Sequence, residues 1–546
     1  MKNINKVLII VLITTLLISG CSSGIRQNSS VITDSLNNSL GGASQKSSIR
    51  VGAKDEFGLT MKQAIPMDMD SSMSLYQSEF NTEDYSYIEE NTFKNPKNNP
   101  LSTFSIDVDT ASYSNVRRFL MNSEIPPKDA VRIEELINYF NYDYIDPDAE
   151  HPFSVNTEIA KCPWNKNNLL VKIGLKGEDI PKENIPSSNL VFLLDVSGSM
   201  NAQDKLPLLQ SAIKMLANQL TEKDKISIVV YAGASGVVLD SVSGDDKIKI
   251  MDAINSLNAG GSTNGGEGIN LAYKIAKQNF IENGNNRIIL ATDGDFNVGI
   301  SSNGELTRLI EEKRNEGIFL TVLGFGTGNI KDTTMETLAD KGNGNYAYID
   351  SILEAKKVLV EEMGSTLFTI AKDVKIQVEF NPNIIEGYRL VGYENRKLND
   401  EDFNDDTKDA GEMGAGHTVT AFYELIPITS NEEIKNIDDL KYQETVIKKN
   451  DEEIMTVKLR YKDPDKNSSK LLEKIVKTND IVSNPSEDYM FAVAVTEFGM
   501  ILRDSKFKGN STIDDVISLA KYNKGNDYSG YRSEFIKLAE LYSAIK

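Results

Sequence analysis

The sequence predicts an α/β domain with a doubly wound, mostly parallel sheet, inserted into an antiparallel β-sandwich and flanked by small helical N- and C-terminal modules. Two patterns predict this fold. Continuous apolar runs alternate with helical patterns between residues 188 and 365, which is typical of parallel strands that helices cover on both faces. Strict alternation of apolar and polar residues occurs on both sides of that segment, and a period of two indicates half-buried antiparallel strands.

Each predicted element follows from its own stretch of sequence. Alternating strands are expected at 169–175 before the inserted segment and at 374–380, 419–425 and 455–461 after it. The continuous runs are NLVFLLDV, KISIVVYA, RIILAT and IFLTVLGF, with helical patterns at 206–220, 247–257, 268–280 and 306–315. Further helices are expected at 112–121, 128–140, 489–503, 512–522 and 532–545.

The N-terminus carries a predicted export signal. Two lysines precede an apolar stretch of about 14 residues, which has the length of a signal-peptide core and is short for a membrane span. It ends Ile18-Ser19-Gly20-Cys21, which resembles the lipobox of bacterial lipoproteins. The resemblance implies cleavage before Cys21 and acylation of that cysteine, for example with palmitate. We therefore expect a lipid-anchored protein on the exported face of the bacterial cell membrane or envelope.

The resulting map divides the chain into six parts. They are a signal peptide (1–20), a disordered tether (21–97), an N-terminal module (98–150), a β-sandwich (151–187 with 366–465), the inserted domain (188–365) and a C-terminal helical region (466–546). The tether is assigned because its Ser, Asn, Gln and Gly content lacks apolar periodicity.

Composition excludes several classes of function. The 546 residues include 59 Lys and Arg against 80 Asp and Glu, a net charge of −21, so the chain lacks the basic footprint of a nucleic-acid-binding protein. Two histidines argue against His-rich metal sites and most His-based catalysis. Since Cys21 is assigned to lipid attachment, Cys162 is the remaining thiol, and we expect it to be buried and inert.

Oxygen donors follow three segments of the inserted domain. The first apolar run ends in Asp195, followed by Ser197 and Ser199, and Gly198 permits a turn that brings the three together. Thr263 lies in a glycine-rich loop before a helix, and Asp293 follows the buried run RIILAT. Parallel sheets place ligands beyond the carboxyl ends of their strands. Hydroxyl and carboxylate oxygens suit Mg²⁺, Mn²⁺ or Ca²⁺ rather than zinc.

This D-x-S-x-S, T, D series resembles the metal-ion-dependent adhesion site of von Willebrand factor type A (VWA) domains, whose sheet is Rossmann-like. The resemblance implies that the three hydroxyls bind a divalent ion, with Mg²⁺ as first choice, and that the two aspartates bind it partly through water. It also implies that a partner protein supplies an acidic side chain to the ion. The flanks NPLSTFSIDVDTASYSNVRRFL and FAVAVTEFGMILRDS resemble the modules that surround this domain in a family of bacterial lipoproteins.

Three functions stay open from the sequence. Ion-dependent protein binding is favoured, with no catalytic residue assigned. A metal-dependent hydrolase using the same ion lacks a histidine base in this segment, and Glu267 and Asp295 are each interpreted as a solvated loop charge or a helix N-terminal acid. A structural or assembly factor of the envelope with a vestigial metal site is the third.

Two weaker motifs are interpreted structurally. The loop 324–329 carries two of the three glycines of a dinucleotide fingerprint but has Asn329 at the third position, so it is predicted to be a tight turn. His417 begins an alternating strand and is expected to have a structural role.

Overall fold

The computed structural model describes residues 82–546 except for 149, 182–183, 263–264, 295, 297–302, 363, 365–367, 409, 433, 435–441, 443–446, 448, 465 and 467. The signal peptide, Cys21, Thr263 and Asp295 therefore lie outside the described residues.

The strands, in chain order, are β1 Leu101–Ser105, β2 Phe153–Lys161, β3 Leu169–Gly177, β4 Ser188–Asp195, β5 Lys225–Tyr231, β6 Ser235–Ser243, β7 Asn285–Thr292, β8 Ile318–Phe325, β9 Tyr346–Ile349, β10 Thr369–Phe380, β11 Ile385–Val391, β12 Lys397–Leu398, β13 Gly411–Gly414, β14 Thr418–Pro427, β15 Glu453–Lys462 and β16 Ser469–Lys477. The helices are α1 Ala111–Met121, α2 Ile133–Asn138, α3 Leu206–Gln219, α4 Lys247–Asn255, α5 Gly265–Gln278, α6 Asn303–Asn315, α7 Asp332–Lys341, α8 Ile352–Lys356, α9 Glu487–Leu502, α10 Ile513–Tyr522 and α11 Tyr531–Ile545.

The inserted α/β domain is built on one sheet of order β6-β5-β4-β7-β8-β9. All neighbouring strands are parallel except β6, which pairs antiparallel with β5 at the edge. The central strands β4 and β7 are buried along their whole length, and each face of the sheet packs a separate apolar core against helices. The predicted doubly wound, mostly parallel sheet is confirmed.

The β-sandwich surrounds this insertion, because β3 precedes the α/β domain and β10 follows it. One sheet has the order β11-β14-β3-β2, and the other has the order β12-β1-β10-β15-β16, with β13 pairing to β10. All pairings in both sheets are antiparallel. The two inner faces share one core, as the alternating pattern predicts.

Two strands correct the predicted domain map. β1 was expected in the N-terminal module and β16 in the C-terminal helical region, yet both belong to the sandwich. β16 pairs with β15 along nearly its whole length. Its sequence SKLLEKIVK does not alternate strictly, and most of its residues are exposed, so its strand structure comes from edge pairing with β15 rather than from a buried face.

The N- and C-terminal helices form one layer rather than two modules. Helices α1 and α2 share a core with α9, α10 and α11 on the outer face of the four-stranded sheet. Helix α2 is shorter than the predicted helix 128–140, because Val131 and Arg132 are extended and separate it from the short 3₁₀ turn Lys128–Ala130. Among the described residues, no helix has the length and apolar character needed to span a bilayer.

Residues 82–97, which the sequence assigns to the end of the tether, are ordered against the fold. The Thr82 N–H donates to the Gly328 carbonyl (2.8 Å), and the Asp84 N–H donates to the Ile330 carbonyl (3.1 Å). Further on, Lys94 and Tyr388 exchange backbone hydrogen bonds. Backbone pairing therefore compensates for the lack of apolar periodicity, and the predicted tether boundary at 97 is wrong for the described residues of this segment.

Candidate metal centre

The first donor loop begins where β4 ends at Asp195. The Asp195 side chain is fully buried, and its Oδ1 accepts a hydrogen bond from the Ser197 N–H (2.8 Å). The chain then turns through a short 3₁₀ helix, Gly198–Asn201, which Met200 anchors by complete burial. This turn brings the Ser197 and Ser199 hydroxyls within 2.9 Å of each other. The predicted convergence of the first three donors is present.

The glycine-rich loop lies directly against this turn. The Gly198 N–H donates to the Gly261 carbonyl (3.0 Å), and the Gly260 N–H donates to the Val196 carbonyl (2.8 Å). Gly261 has φ +88°, a conformation that L side chains rarely adopt. Thr263 lies outside the described residues, between this ordered approach and the start of α5 at Gly265. The structure therefore brings the loop's beginning to the site and leaves the threonine itself a prediction.

Asp293 reaches the same edge of the sheet from β7. The β4–β7 register pairs Leu194 with Ala291, so the residues that follow in both strands are neighbours. The Thr292 hydroxyl donates to Asp195 Oδ2 at 3.4 Å, which is a long hydrogen bond. Asp293 is 1% exposed. Two buried carboxylates thus lie at one end of adjacent parallel strands.

The electrostatics of the site reflect that proximity. Burial raises the pKa of Asp195, the hydrogen bonds from Ser197 lower it, and the charge of Asp293 raises it again, with a net increase. Burial, and then the Asp195 charge, also raise the pKa of the neighbouring Tyr231 hydroxyl well above its ordinary value. A nearby cation would favour the ionised form of the carboxylates.

The structure adds one residue that sequence reasoning missed. Lys205, immediately before α3, places its Nζ 3.0 Å from Asp293 Oδ2. The only local signal was a lysine ten residues after Asp195, which resembles any solvated residue near a helix start. The loop 324–329 explains its placement: Gly326 has φ +75°, and a Cβ there would lie 2.2 Å from Lys205 Cε. The loop 324–329, predicted as a tight turn, therefore packs against Lys205 beside the site.

The donor chemistry fits a hard divalent cation. The set contains two carboxylates and serine hydroxyls, all oxygen donors of the kind that Mg²⁺ and Ca²⁺ prefer. Within the described part of the chain, no group of three His, Cys, Asp or Glu side chains converges in a way that suits a metal ion. The candidate centre is therefore distinguished by hydroxyls combined with only two acids.

Other candidates lie elsewhere with structural roles. Cys162 is fully buried and unpaired, and burial raises the pKa of its thiol, which fits an inert core residue. His417 is half-buried immediately before β14, where its carbonyl accepts from the Gly177 N–H (2.8 Å). His151 Nδ1 lies 2.8 Å from the Tyr461 hydroxyl.

Comparison with known families matches three parts of the chain. The model described as "von Willebrand factor type A domain" matches residues 189–361, and one described as "von Willebrand factor" matches residues 79–172. The model "Uncharacterized protein YfbK, C-terminal" matches residues 365–545. VWA domains are generally interaction modules rather than enzymes, and they typically use a metal ion.

Individual proteins extend these matches. "Uncharacterized protein YfbK" of Escherichia coli is 45% identical over 471 residues, covering 84% of this chain and 81% of the relative. "Uncharacterized protein sll0103" of Synechocystis is 29% identical over 196 residues, covering 36% of this chain and 45% of that protein. A solved structure, "von Willebrand factor type A from Catenulispora acidiphila", aligns over 68% of this chain and 87% of its own with 15% identity and a TM-score of 0.38. On its 45% identity to YfbK, the chain belongs to the family of YfbK-like proteins, and its VWA domain lies between the regions that the other two models match.

Proposed function

We propose that this protein binds a partner protein through a divalent ion, to which the partner contributes an acidic side chain. Asp195, Ser197, Ser199, Thr263 and Asp293 would hold the ion, with Mg²⁺ as the first choice and Mn²⁺ or Ca²⁺ as alternatives. The observation that supports this most directly is the pair of serine hydroxyls, 2.9 Å apart, beside the buried Asp195 at the end of a parallel strand.

The site's own residues favour binding over turnover. When bound, the ion supplies a Lewis-acidic position that accepts a carboxylate oxygen. The Ser197 N–H fixes the orientation of Asp195, and buried surroundings strengthen its interaction with a cation. The chain's two histidines lie in and beside the sandwich, where His151 contacts Tyr461. The Lys205 amine is engaged by Asp293. Neither histidine nor this lysine is thus placed as a general base, which a hydrolase would need.

We also propose that the protein works at the membrane surface as a lipoprotein anchored through Cys21. The lipobox-like sequence ending at Cys21 supports this attachment. The Cys21→Ser variant should lose incorporation of a palmitate analogue and leave the membrane fraction. Equal labelling and membrane retention of the variant would contradict the anchor without affecting the ion site.

The ion site is tested by thermal unfolding of the full chain in detergent against Mg²⁺, Mn²⁺ and Ca²⁺. An ion at about 100 times its Kd stabilises the state that binds it by about 2.7 kcal/mol. The Asp195→Asn variant should lose this stabilisation. Asp252→Asn, an exposed aspartate on α4 of the same domain, serves as the control and should retain it. Equal ion-induced shifts in both variants would overturn the assignment.

Partner chemistry is tested in the same system. Immobilised peptides containing either one aspartate or the matching asparagine should be captured differently. We expect ion-dependent retention of the aspartate peptide by the unmodified chain and none by Asp195→Asn. Retention that is insensitive to ion removal would contradict a metal-mediated contact.

A further inference from the structure

The ammonium group of Lys205 lies against one of the proposed ion ligands. Its Nζ lies 3.0 Å from Asp293 Oδ2, and the two side chains are 9% and 2% exposed. Neither makes a second ion pair with any residue that the structure describes. Because the pair is buried, its attraction is screened much less than that of a surface pair.

The lysine is held in place by the loop after β8. Its aliphatic stem passes directly over Gly326, where any Cβ would collide with it. The Tyr348 hydroxyl donates to the Gly326 carbonyl (2.7 Å). The Gly328 N–H donates to a Glu83 carboxylate oxygen (2.9 Å), and the Gly328 carbonyl accepts from the Thr82 N–H (2.8 Å). These hydrogen bonds hold the loop 324–329 in place, and the loop in turn fixes the direction from which the ammonium approaches Asp293.

The Lys205–Asp293 ion pair changes the charge that a divalent ion would meet at the site. Asp195 and Asp293 carry two negative charges when ionised, and Lys205 cancels one of them. A divalent ion would then meet a net charge of about −1 from these three side chains and would compete with the ammonium for Asp293. A carboxylate from a partner would restore neutrality around the ion.

We propose that Lys205 is a built-in competitor of the divalent ion, which keeps ion binding weak until a carboxylate ligand arrives. The proposal rests on the ion site described under Proposed function and adds a coupling between its two ligands. Coupling between bound ligands is reciprocal. The ion therefore strengthens carboxylate binding by the same factor by which the carboxylate strengthens ion binding.

Calorimetric titration of the full chain in detergent with Mg²⁺, with and without acetate, tests this coupling. We expect Lys205→Gln to bind Mg²⁺ at least tenfold more tightly than the unmodified chain in the absence of acetate. Acetate should tighten Mg²⁺ binding by the unmodified chain and have a smaller effect on the variant. Lys214→Gln removes the same charge from α3 without contacting Asp293 and should stay within twofold of the unmodified chain.

The outcomes separate this proposal from the one on which it rests. If the unmodified chain binds Mg²⁺ but Lys205→Gln binds it equally or more weakly, the competitor role is overturned while the ion site stands. If neither chain binds Mg²⁺ better than Asp195→Asn, with or without acetate, both proposals fail.

A second measurement needs no variant and covers the case in which Lys205→Gln does not fold. Amine acetylation of the unmodified chain, read residue by residue by mass spectrometry, should modify Lys205 slowly without Mg²⁺. It should modify Lys205 faster with Mg²⁺, because the ion releases the ammonium from Asp293. Unchanged labelling of Lys205 under conditions where calorimetry shows Mg²⁺ bound would overturn the proposal.

Discussion

Carboxylates cluster in two regions at the end of the α/β sheet, and the two regions differ in the groups that contact these carboxylates. Where α1 meets the end of the α/β domain, Arg117 contacts Asp350, Glu354 (2.7 Å) and Glu534 (2.9 Å). At the donor loops, Asp195 has hydroxyl and amide partners and Asp293 has Lys205. The first region matches acids with a planar guanidinium that can satisfy several oxygens at once. The second gives its acids the hard oxygen neighbours that suit a small cation.

A second arginine cluster strengthens the contrast. Arg396 contacts Asp109 (3.2 Å), Glu336 (2.6 Å) and Asp340 (2.8 Å), so it joins the sandwich to the segment between β1 and α1 and to α7. Arg132 from the N-terminal helical layer also reaches Glu336 (3.1 Å). These clusters connect elements from different parts of the sequence. A buried acid alone therefore does not mark a ligand site in this protein, because the partners of the acid decide its role.

The largest effect is expected from removing the arginine of the first cluster. Arg117→Met leaves three acids around a hydrophobic side chain, and breaking a buried ion pair by removing one partner costs about 3–5 kcal/mol. Urea unfolding of the full chain should show this loss. Lys128→Met, which removes the exposed pair Lys128–Asp504 with both side chains more than 60% exposed, should cost less than about 1 kcal/mol. Similar losses for the two variants would contradict the stabilising role of the buried Arg117 cluster.

A buried acid without any cation should behave in a third way. Glu497 on α9 is 4% exposed, and its Oε1 accepts from the Ser511 hydroxyl (2.8 Å). Burial raises its pKa from the ordinary 4.5 to about 7. Its contribution to stability is therefore full below pH 4.5 and is lost as the pH rises through 7. At about 1.4 kcal/mol per pH unit, the loss is about 3 kcal/mol.

The Glu497→Gln variant should remove this dependence, so that its stability relative to the unmodified chain grows between pH 4.5 and 8. Urea midpoints measured across that range provide the check. Ser511→Ala removes the hydrogen bond that lowers the Glu497 pKa, so in that variant the loss should start at the same pH but continue to higher pH. Parallel pH profiles for Glu497→Gln and the unmodified chain would show that this acid stays ionised without a cation.

The sequence predicted what depends on local periodicity. The strands β4 and β7 are buried along their whole length, as their continuous apolar runs predict, and the alternating apolar residues of β3, β10, β14 and β15 line the core of the sandwich. The remaining residues of β3 and β14 are mostly buried as well, because the helical layer covers that face of the sheet. The sequence also predicts that Asp195, Ser197 and Ser199 converge, because a single turn joins them. The strand positions and their core-facing residues are confirmed, because a strand's apolar period is a property of the strand itself, whereas the predicted half-burial is wrong for β3 and β14, whose second face is covered by distant helices.

What the sequence did not predict depends on distant partners. The edge strand β16 is held by β15, and residues 82–97 are held by the loop after β8 and by β11. The helices α1 and α2 share a core with helices more than 300 residues later. Lys205 was missed for the same reason, since only the packed sheet brings residue 205 to residue 293. Long-range packing overrides local signals in each case.

The smallest effect is expected from glycine substitutions that test whether the loop 324–329 positions Lys205. Gly326→Ala introduces a Cβ 2.2 Å from Lys205 Cε at a backbone with φ +75°, whereas Gly328→Ala has φ +87° and meets nothing within 4 Å. Both variants pay about 1–2 kcal/mol for the left-handed conformation. Gly326→Ala should cost about 1 kcal/mol more in thermal unfolding, because the Lys205 side chain over it must move.

If the lysine competes with the ion, the same displacement should tighten Mg²⁺ binding in Gly326→Ala and not in Gly328→Ala. Equal stability and equal Mg²⁺ affinity in the two variants would mean that the loop 324–329 does not position Lys205, and that the lysine contacts Asp293 independently of this loop.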